Sequence, residues 1–362
     1  MRVIVAVGGR ANVVKVAPLL PALTSSGIDV QVAYAGVRED ALDYGSGFTS
    51  VYGVIIPAPT WYLDSGIGSS AAATGVAMRS FEQLFAVERP DAVLLAGDVN
   101  GTLAAAISAA KAGLPVVHVE AGIRCGDLSY PDEVNRVLIS RVAAMHLTPS
   151  ARALENLEDE GIEPERIHFV GNAVAEQALR ELDHAPGAGV VEAMGRSPRG
   201  YVLAVFHRPD HLADRQWLAA VVEGLSDVQP PVLMPDSDAF VSACELYGIA
   251  IPASIQTTPP IDHLKMLSLI KDSACVVTDS GGLQEEACVL CAPCVTVRGC
   301  TEHVETLTTR ANVLAAAEAE VIRTATLAAV SGRRQWVQPA RWDRAVSDRV
   351  VRALRRGIMP LR

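Results

Sequence analysis

Short, continuous apolar runs recur along this chain, and most of them stop at a glycine, an acid or a histidine. Ala92-Val93-Leu94-Leu95-Ala96 ends at Gly97-Asp98. Pro115-Val116-Val117-His118-Val119 ends at Glu120-Ala121-Gly122, and Tyr201-Val202-Leu203-Ala204-Val205-Phe206 ends at His207-Arg208-Pro209. Residues 2–7, 29–35, 167–170, 231–234, 274–277 and 294–298 follow the same style. Apolar runs without alternation mark strands buried on both faces. Between them lie segments of helical character, predicted over 13–25, 69–88, 101–112, 150–161, 214–226, 239–247 and 261–271. Strands alternating with helices predict parallel sheets covered by helices. In such sheets ligands gather at the carboxyl ends of strands, where Asp98 and Glu120 fall.

A chain of 362 residues exceeds what one core usually supports. The featureless stretch around 171–200 predicts a domain junction. We expect an N-terminal domain over 1–171, a C-terminal domain over 172–344, and a helix at about 345–362 returning to the first. The two are expected to be Rossmann-like domains facing a central cleft. The basic run Arg341, Arg344, Arg349, Arg352, Arg355 and Arg356 reads as a solvated face with domain packing. A net charge of −10 argues against a nucleic-acid or membrane-surface partner. The N-terminal apolar run is too short for a signal peptide, and no run reaches membrane-spanning length, so a cytoplasmic chain is expected. Seven cysteines, an odd number, argue against a disulfide framework. The spacing of Cys288, Cys291 and Cys294 invites a metal, but they divide between a helix end and the next strand. No metal or cofactor is expected.

The stretch Thr278-Asp279-Ser280-Gly281-Gly282-Leu283-Gln284-Glu285-Glu286 reads as strand, tight turn and helix start. Such a turn presents free N–H groups and a positive helix end to a phosphate. A plain strand-to-helix connection also favours glycine. Asp98, Glu120, Glu133 and His207 are candidate acid–base groups, with Arg10, Lys15, Arg136 and Arg208 as anion partners. Glu133 and Arg136 are three apart on a helix opened by Pro131 and share a face. Two of these have a structural alternative, whereas Glu120 ending an apolar strand is harder to explain structurally. Asp98 suits a helix cap, and Glu133 suits the helix dipole. His118 and His146 read as core histidines, and His211 and His263 as surface or loop residues.

In order, the motifs Gly8-x-Arg10 with Lys15-x-Ala17-Pro18-Leu19, Gly97-Asp98, Val119-Glu120-Ala121-Gly122-Ile123-Arg124 with Gly126-Asp127, Pro131-Asp132-Glu133-Val134-Asn135-Arg136, Gly171-Asn172, His207-Arg208 and 278–287 span nearly the whole chain. Together they resemble the non-hydrolysing UDP-N-acetylglucosamine 2-epimerases. The resemblance implies a GT-B-like fold, a homodimer, and interconversion of UDP-GlcNAc and UDP-ManNAc through UDP elimination to 2-acetamidoglucal and re-addition. It implies that Asp98, Glu120 and Glu133 move protons and that His207 and Arg10 meet the diphosphate. It further implies that Ser280, Gly281 and Gly282 bind phosphate, that Glu286 accepts from the ribose hydroxyls, and that Arg136 orients Glu133 or the phosphate. A proton must leave C2 on one face and return on the other, so two acid–base groups are needed.

The chain departs from the family pattern in places. Gly9-Arg10-Ala11-Asn12 replaces Thr-Arg-Pro-Glu, and His303 stands where a site arginine is usual. Met266 takes the place of an aromatic near uracil. The Gln-His pair tied to an activating second UDP-GlcNAc is missing from Gly36-Val37-Arg38-Glu39. These changes leave room for an altered sugar, as in a specialised aminosugar antibiotic pathway. The alternatives are a hydrolysing 2-epimerase that releases UDP and ManNAc, a GT-B glycosyltransferase, and a silent nucleotide-sugar sensor.

Overall fold

The computed structural model describes residues 1–8, 10–36, 59–65, 70–185, 187–332 and 334–358, with the backbone alone for Arg10, Ala11 and Ala188. It divides into two compact units, Met1–Gln177 with Ala340–Arg362, and Ala178–Pro339.

The first unit holds strands β1 (Arg2–Val7), β2 (Asp29–Tyr34), β3 (Trp61–Tyr62), β4 (Ala92–Ala96), β5 (Val116–Val119), β6 (Met145–Thr148) and β7 (Ile167–Phe169). All pair in parallel, in the order β3-β2-β1-β4-β5-β6-β7. The alternating side chains of β1 serve two cores. Val3, Val5 and Val7 pack on one face with Leu19, Leu23 and Val350, while Ile4 and Ala6 pack on the other with Phe81 and Phe85. Burial on both faces is why these strands read as unbroken apolar runs. Strand order reverses between β1 and β4, so the crevice at their carboxyl ends is this sheet's natural ligand position.

The second unit repeats the plan with β8 (Val202–Val205), β9 (Val232–Met234), β10 (Ile255–Thr257), β11 (Cys275–Thr278), β12 (Cys294–Val297) and β13 (Asn312–Ala315). Their order is β10-β9-β8-β11-β12-β13, again all parallel. The reversal lies between β8 and β11, which end at Phe206-His207 and Asp279-Ser280. Two parallel, doubly covered sheets are the α/β class expected from the sequence.

The single helix expected over 13–25 is two, Arg10–Val16 and Leu19–Ser25. Pro18 lacks an N–H and disfavours helical geometry at Ala17, which breaks the run. The C-terminal helix is shorter than expected, Val346–Arg355. It buries Val346, Val350, Ala353 and Leu354 in the first unit's core. Arg355 donates to the Ser26 carbonyl at 2.8 Å, and Ser347 donates twice to Glu176, at 2.7 and 2.9 Å.

Candidate active site

In the first unit the strand-end acids come together around two cations. Lys15, at the end of helix Arg10–Val16, places Nζ 2.5 Å from Glu120 Oε2. Glu120 follows β5 with φ of +63°, a left-handed conformation costly for a residue with a Cβ, and it is buried. Such strain is held only where the surroundings over-determine it, and here it turns the carboxylate to Lys15. Asp98 follows β4, and Arg136 Nε donates to its Oδ2 at 2.6 Å. The other arm of Arg136 donates to Glu133 Oε2, also at 2.6 Å. Glu133 is 2% exposed at its side chain and also accepts from the backbone N–H groups of Cys125 and Gly126, at 3.2 and 2.9 Å. Helix Pro131–Val142 makes this possible, because positions i and i+3 share its inner face. Beneath lies His118, whose Nε2–H donates to the Gly97 carbonyl at 2.9 Å. Burial drives its pKa down to about 3, so it stays neutral.

In the second unit the switch point is built on Asp279, fully buried at the end of β11. Its carboxylate accepts from the backbone N–H groups of His207 and Arg208, both at 3.2 Å, and from His211 Nδ1 at 3.0 Å. Burial works to raise its pKa, but the His211 hydrogen bond and the charges of His207 and His211 outweigh it and hold the group below the usual carboxylate range. The clamp fixes the turn after β8 and leaves the His207 side chain exposed. Arg208 Nε reaches Asp210 at 3.3 Å. Ser280 caps helix Gly281–Val289 by accepting from the Leu283 N–H, and the free N–H groups of the helix start lie beside it. A Cβ at Gly281 would lie 2.8 Å from His303 Nε2, whereas one at Gly282 would meet open space. His303 in turn reaches Glu285 Oε1 with Nδ1 at 3.0 Å. Glu286, one turn into the helix, meets His263 Nε2 at 2.8 Å.

A family profile described as UDP-N-acetylglucosamine 2-epimerase matches residues 24–355. The chain belongs to the UDP-N-acetylglucosamine 2-epimerase family. The UDP-N-acetylglucosamine 2-epimerase of Methanocaldococcus jannaschii is 30% identical over 370 residues, which cover 99% of this chain and 100% of that one. A crystal structure of the M. jannaschii UDP-GlcNAc 2-epimerase in complex with UDP-GlcNAc and UDP matches with a TM-score of 0.89 at 29% identity, over 99% of this chain and 100% of that one. The UDP-2,3-diacetamido-2,3-dideoxy-D-glucuronate 2-epimerase of Pseudomonas aeruginosa is 32% identical over 329 residues, 89% of this chain and 90% of its own.

Within this epimerase-family chain, several sequence expectations need correction. His211 and His263 are not surface or loop residues. His211 stacks on Trp217 with ring centroids 4.5 Å apart, and the His263 side chain is 10% exposed between two carboxylates. Asp98 caps no helix. The cap position before Asn100–Lys111 is Val99, and Asp98 is drawn instead to Arg136. Asn12, where the family usually has an acid, is buried and donates to Thr102 Oγ1 at 2.8 Å and to the Ala96 carbonyl. It therefore braces the end of β4. Cys288 lies in helix Gly281–Val289, Cys291 beyond it, and Cys294 on β12. Among the described residues no group of three His, Cys, Asp or Glu is arranged to hold a metal. Met266 is buried in helix His263–Asp272. The side chain of Arg10 and the stretch Val37-Arg38-Glu39 lie outside the described residues.

The side chains that support the turn at Ser280-Gly281-Gly282 are not evident from the sequence. Gln284 accepts from Thr301 Oγ1 at 2.7 Å and from Asn312 Nδ2 at 3.0 Å, and it donates to the Ser280 carbonyl at 3.1 Å. Arg298, buried at the end of β12, pairs with Glu302 at 2.8 Å. Polar residues flanking an apolar strand were the available signal, at Arg298 and Thr301. Asn312 carried none.

Proposed function

We propose that this protein interconverts UDP-GlcNAc and UDP-ManNAc without net hydrolysis. The observation that carries this reading is the first unit's cluster, in which Lys15 pairs with Glu120 and Arg136 bridges Asp98 and Glu133. Acids at two neighbouring strand ends, each beside a cation, supply the pair of acid–base groups that exchange at C2 requires. A base takes the C2 proton, and the electrons of that bond form the C1–C2 double bond. The C1–O bond breaks with its electrons going to UDP. Protonation of C2 from the other face and re-addition of UDP oxygen to C1 complete the exchange.

Glu120 and Asp98 are assigned the proton transfers. Glu133 accepts from two backbone N–H groups and an arginine, so its role is to hold Arg136 and the loop at Cys125-Gly126. In the second unit Ser280, Gly281 and Gly282 bind the diphosphate through hydroxyl and N–H groups. His207 and Arg208 lie on the turn beside it, and His303 stands in for the usual arginine; Arg10 is a candidate anion partner in the first unit. Glu286 takes the ribose hydroxyls. No nucleic acid or membrane partner is proposed. Among the described residues no helix is long and apolar enough to cross a membrane. A homodimer follows from the family resemblance, and light scattering at assay concentration tests it.

Incubation with UDP-GlcNAc, followed by NMR of the products, tests the reaction. UDP-ManNAc at equilibrium with substrate supports it. UDP with free ManNAc assigns hydrolysis instead. The P. aeruginosa relative favours a second sugar, since UDP-2,3-diacetamido-2,3-dideoxy-D-glucuronate shares UDP and the 2-acetamido group but differs at C3 and C6. Competition between the two sugars in one reaction ranks them by kcat/KM.

A further inference from the structure

The reaction described above makes no use of the buried histidine beside Glu286. His263 opens helix His263–Asp272, whose start is fixed by Asp262 accepting from the Lys265 N–H at 2.9 Å. Its ring bridges two carboxylates from other helices. Nδ1 lies 2.6 Å from Glu181 Oε2, at the end of helix Ala173–Glu181, and Nε2 lies 2.8 Å from Glu286 Oε1. Side-chain exposures are 10% for His263, 6% for Glu181 and 7% for Glu286.

An ionised carboxylate only accepts, so each ring nitrogen facing one must carry a proton. The ring is then an imidazolium. Burial by itself would strip that charge, but Glu286 and Glu181 outweigh it and raise the pKa to about 10. The imidazolium therefore persists across the neutral range. Without the imidazolium, two buried acids would lose their shared cation.

We infer that His263 is a positioning residue that holds the Glu286 carboxylate through one oxygen and aims it at the ribose diol of the bound nucleotide, with Glu181 as its second anchor. The inference rests on the reading of Glu286 as the ribose acceptor. A vicinal diol donates two hydrogen bonds, and a carboxylate held through one oxygen still accepts at the other. The trio thus sets preference for a ribonucleotide over one lacking the diol.

The test is calorimetric binding of UDP and of 2′,3′-dideoxyuridine diphosphate to the full chain and to Glu286→Ala and His263→Asn. Wild type is expected to prefer UDP by roughly ten- to a hundredfold, the value of one or two hydrogen bonds to a charged group. Glu286→Ala should bring the ratio to about one. His263→Asn should bring it to within about threefold of one, with affinity for the dideoxy compound unchanged. A wild-type ratio in Glu286→Ala overturns the ribose reading itself. Collapse in Glu286→Ala with a wild-type ratio in His263→Asn, or equal weakening of both ligands in His263→Asn, overturns the positioning role alone. Nitrogen-15 NMR of histidine in the wild-type protein is a check that requires no variant. Protonation of both ring nitrogens of His263 at pH 8 is expected, and a neutral tautomer there overturns the inference.

Discussion

Arg136→Met tests whether the first unit's acids are held as described. The substitution keeps the length of the side chain and removes both charge-assisted bonds. Asp98 loses its Nε partner at 2.6 Å, but its side chain is 21% exposed and water can replace the arginine in part. Glu133 loses its Nη1 partner at 2.6 Å and is 2% exposed, so water cannot. Breaking one side of a buried ion pair costs about 3–5 kcal/mol. The backbone N–H groups of Cys125 and Gly126 still serve Glu133, which places the expected loss at the lower end, about 3 kcal/mol. In a unit of this size each kcal/mol moves Tm by about 2–4 °C, so the first unit's transition should fall by about 6–12 °C. Scanning calorimetry of wild type, Arg136→Met, Glu133→Gln and the double variant closes a mutant cycle. The double variant should be more stable than Arg136→Met, because the stranded charge is gone. A loss below about 1 kcal/mol, or a cycle with no coupling, would refute a buried, arginine-dependent Glu133.

Two further outcomes concern the scaffold. Gly122 has φ of +84°, and a Cβ there would stand 2.0 Å from the Ala153 carbonyl oxygen; Gly122→Ala should cost about 2–4 kcal/mol from backbone strain and overpacking, read by chemical denaturation. His118 and His146 have pKa values driven down to about 3 and about 4, chiefly by burial. The unfolded chain takes up those protons near pH 6.5 and the folded chain does not, so their contribution is full above about 6.5 and lost as pH falls. Each adds a slope of about 1.4 kcal/mol per pH unit between about 6 and 4.5, and His118→Gln should remove one of the two.

The architecture was legible because parallel sheets covered on both faces leave a simple trace, continuous apolar runs that end in chemistry. Asp98, Glu120, His207 and Asp279-Ser280 all stand at such ends. Elements that break the trace were not anticipated. Strand β6 is half polar, with His146 and Thr148 buried among its neighbours. Strands β10 and β13 lie at the edge of their sheet and are short, with partly exposed residues. Helix Ala319–Ser331 carries no strong stripe. At the sites, the short-range pair Glu133–Arg136 is legible from its i, i+3 spacing, whereas the long-range partners are not. Nothing local to His263 announces Glu181, 82 positions away and on another helix. The left-handed backbone of Glu120 is likewise a product of tertiary packing. A histidine beside an aspartate at a helix start reads as exposed unless the carboxylates that charge it are known.

The central claim is that a proton leaves C2 and returns while UDP is off the sugar. Its most direct test is the reaction of UDP-GlcNAc in deuterium oxide with wild type and Glu120→Gln, followed by proton NMR at C2. For wild type we predict deuterium at C2 in the UDP-ManNAc formed and, as the reaction approaches equilibrium, in the recovered UDP-GlcNAc. Exchange should slow by about a hundred- to ten-thousandfold in Glu120→Gln while UDP still binds. Epimerised product carrying protium at C2, or unchanged exchange in Glu120→Gln, would contradict the account.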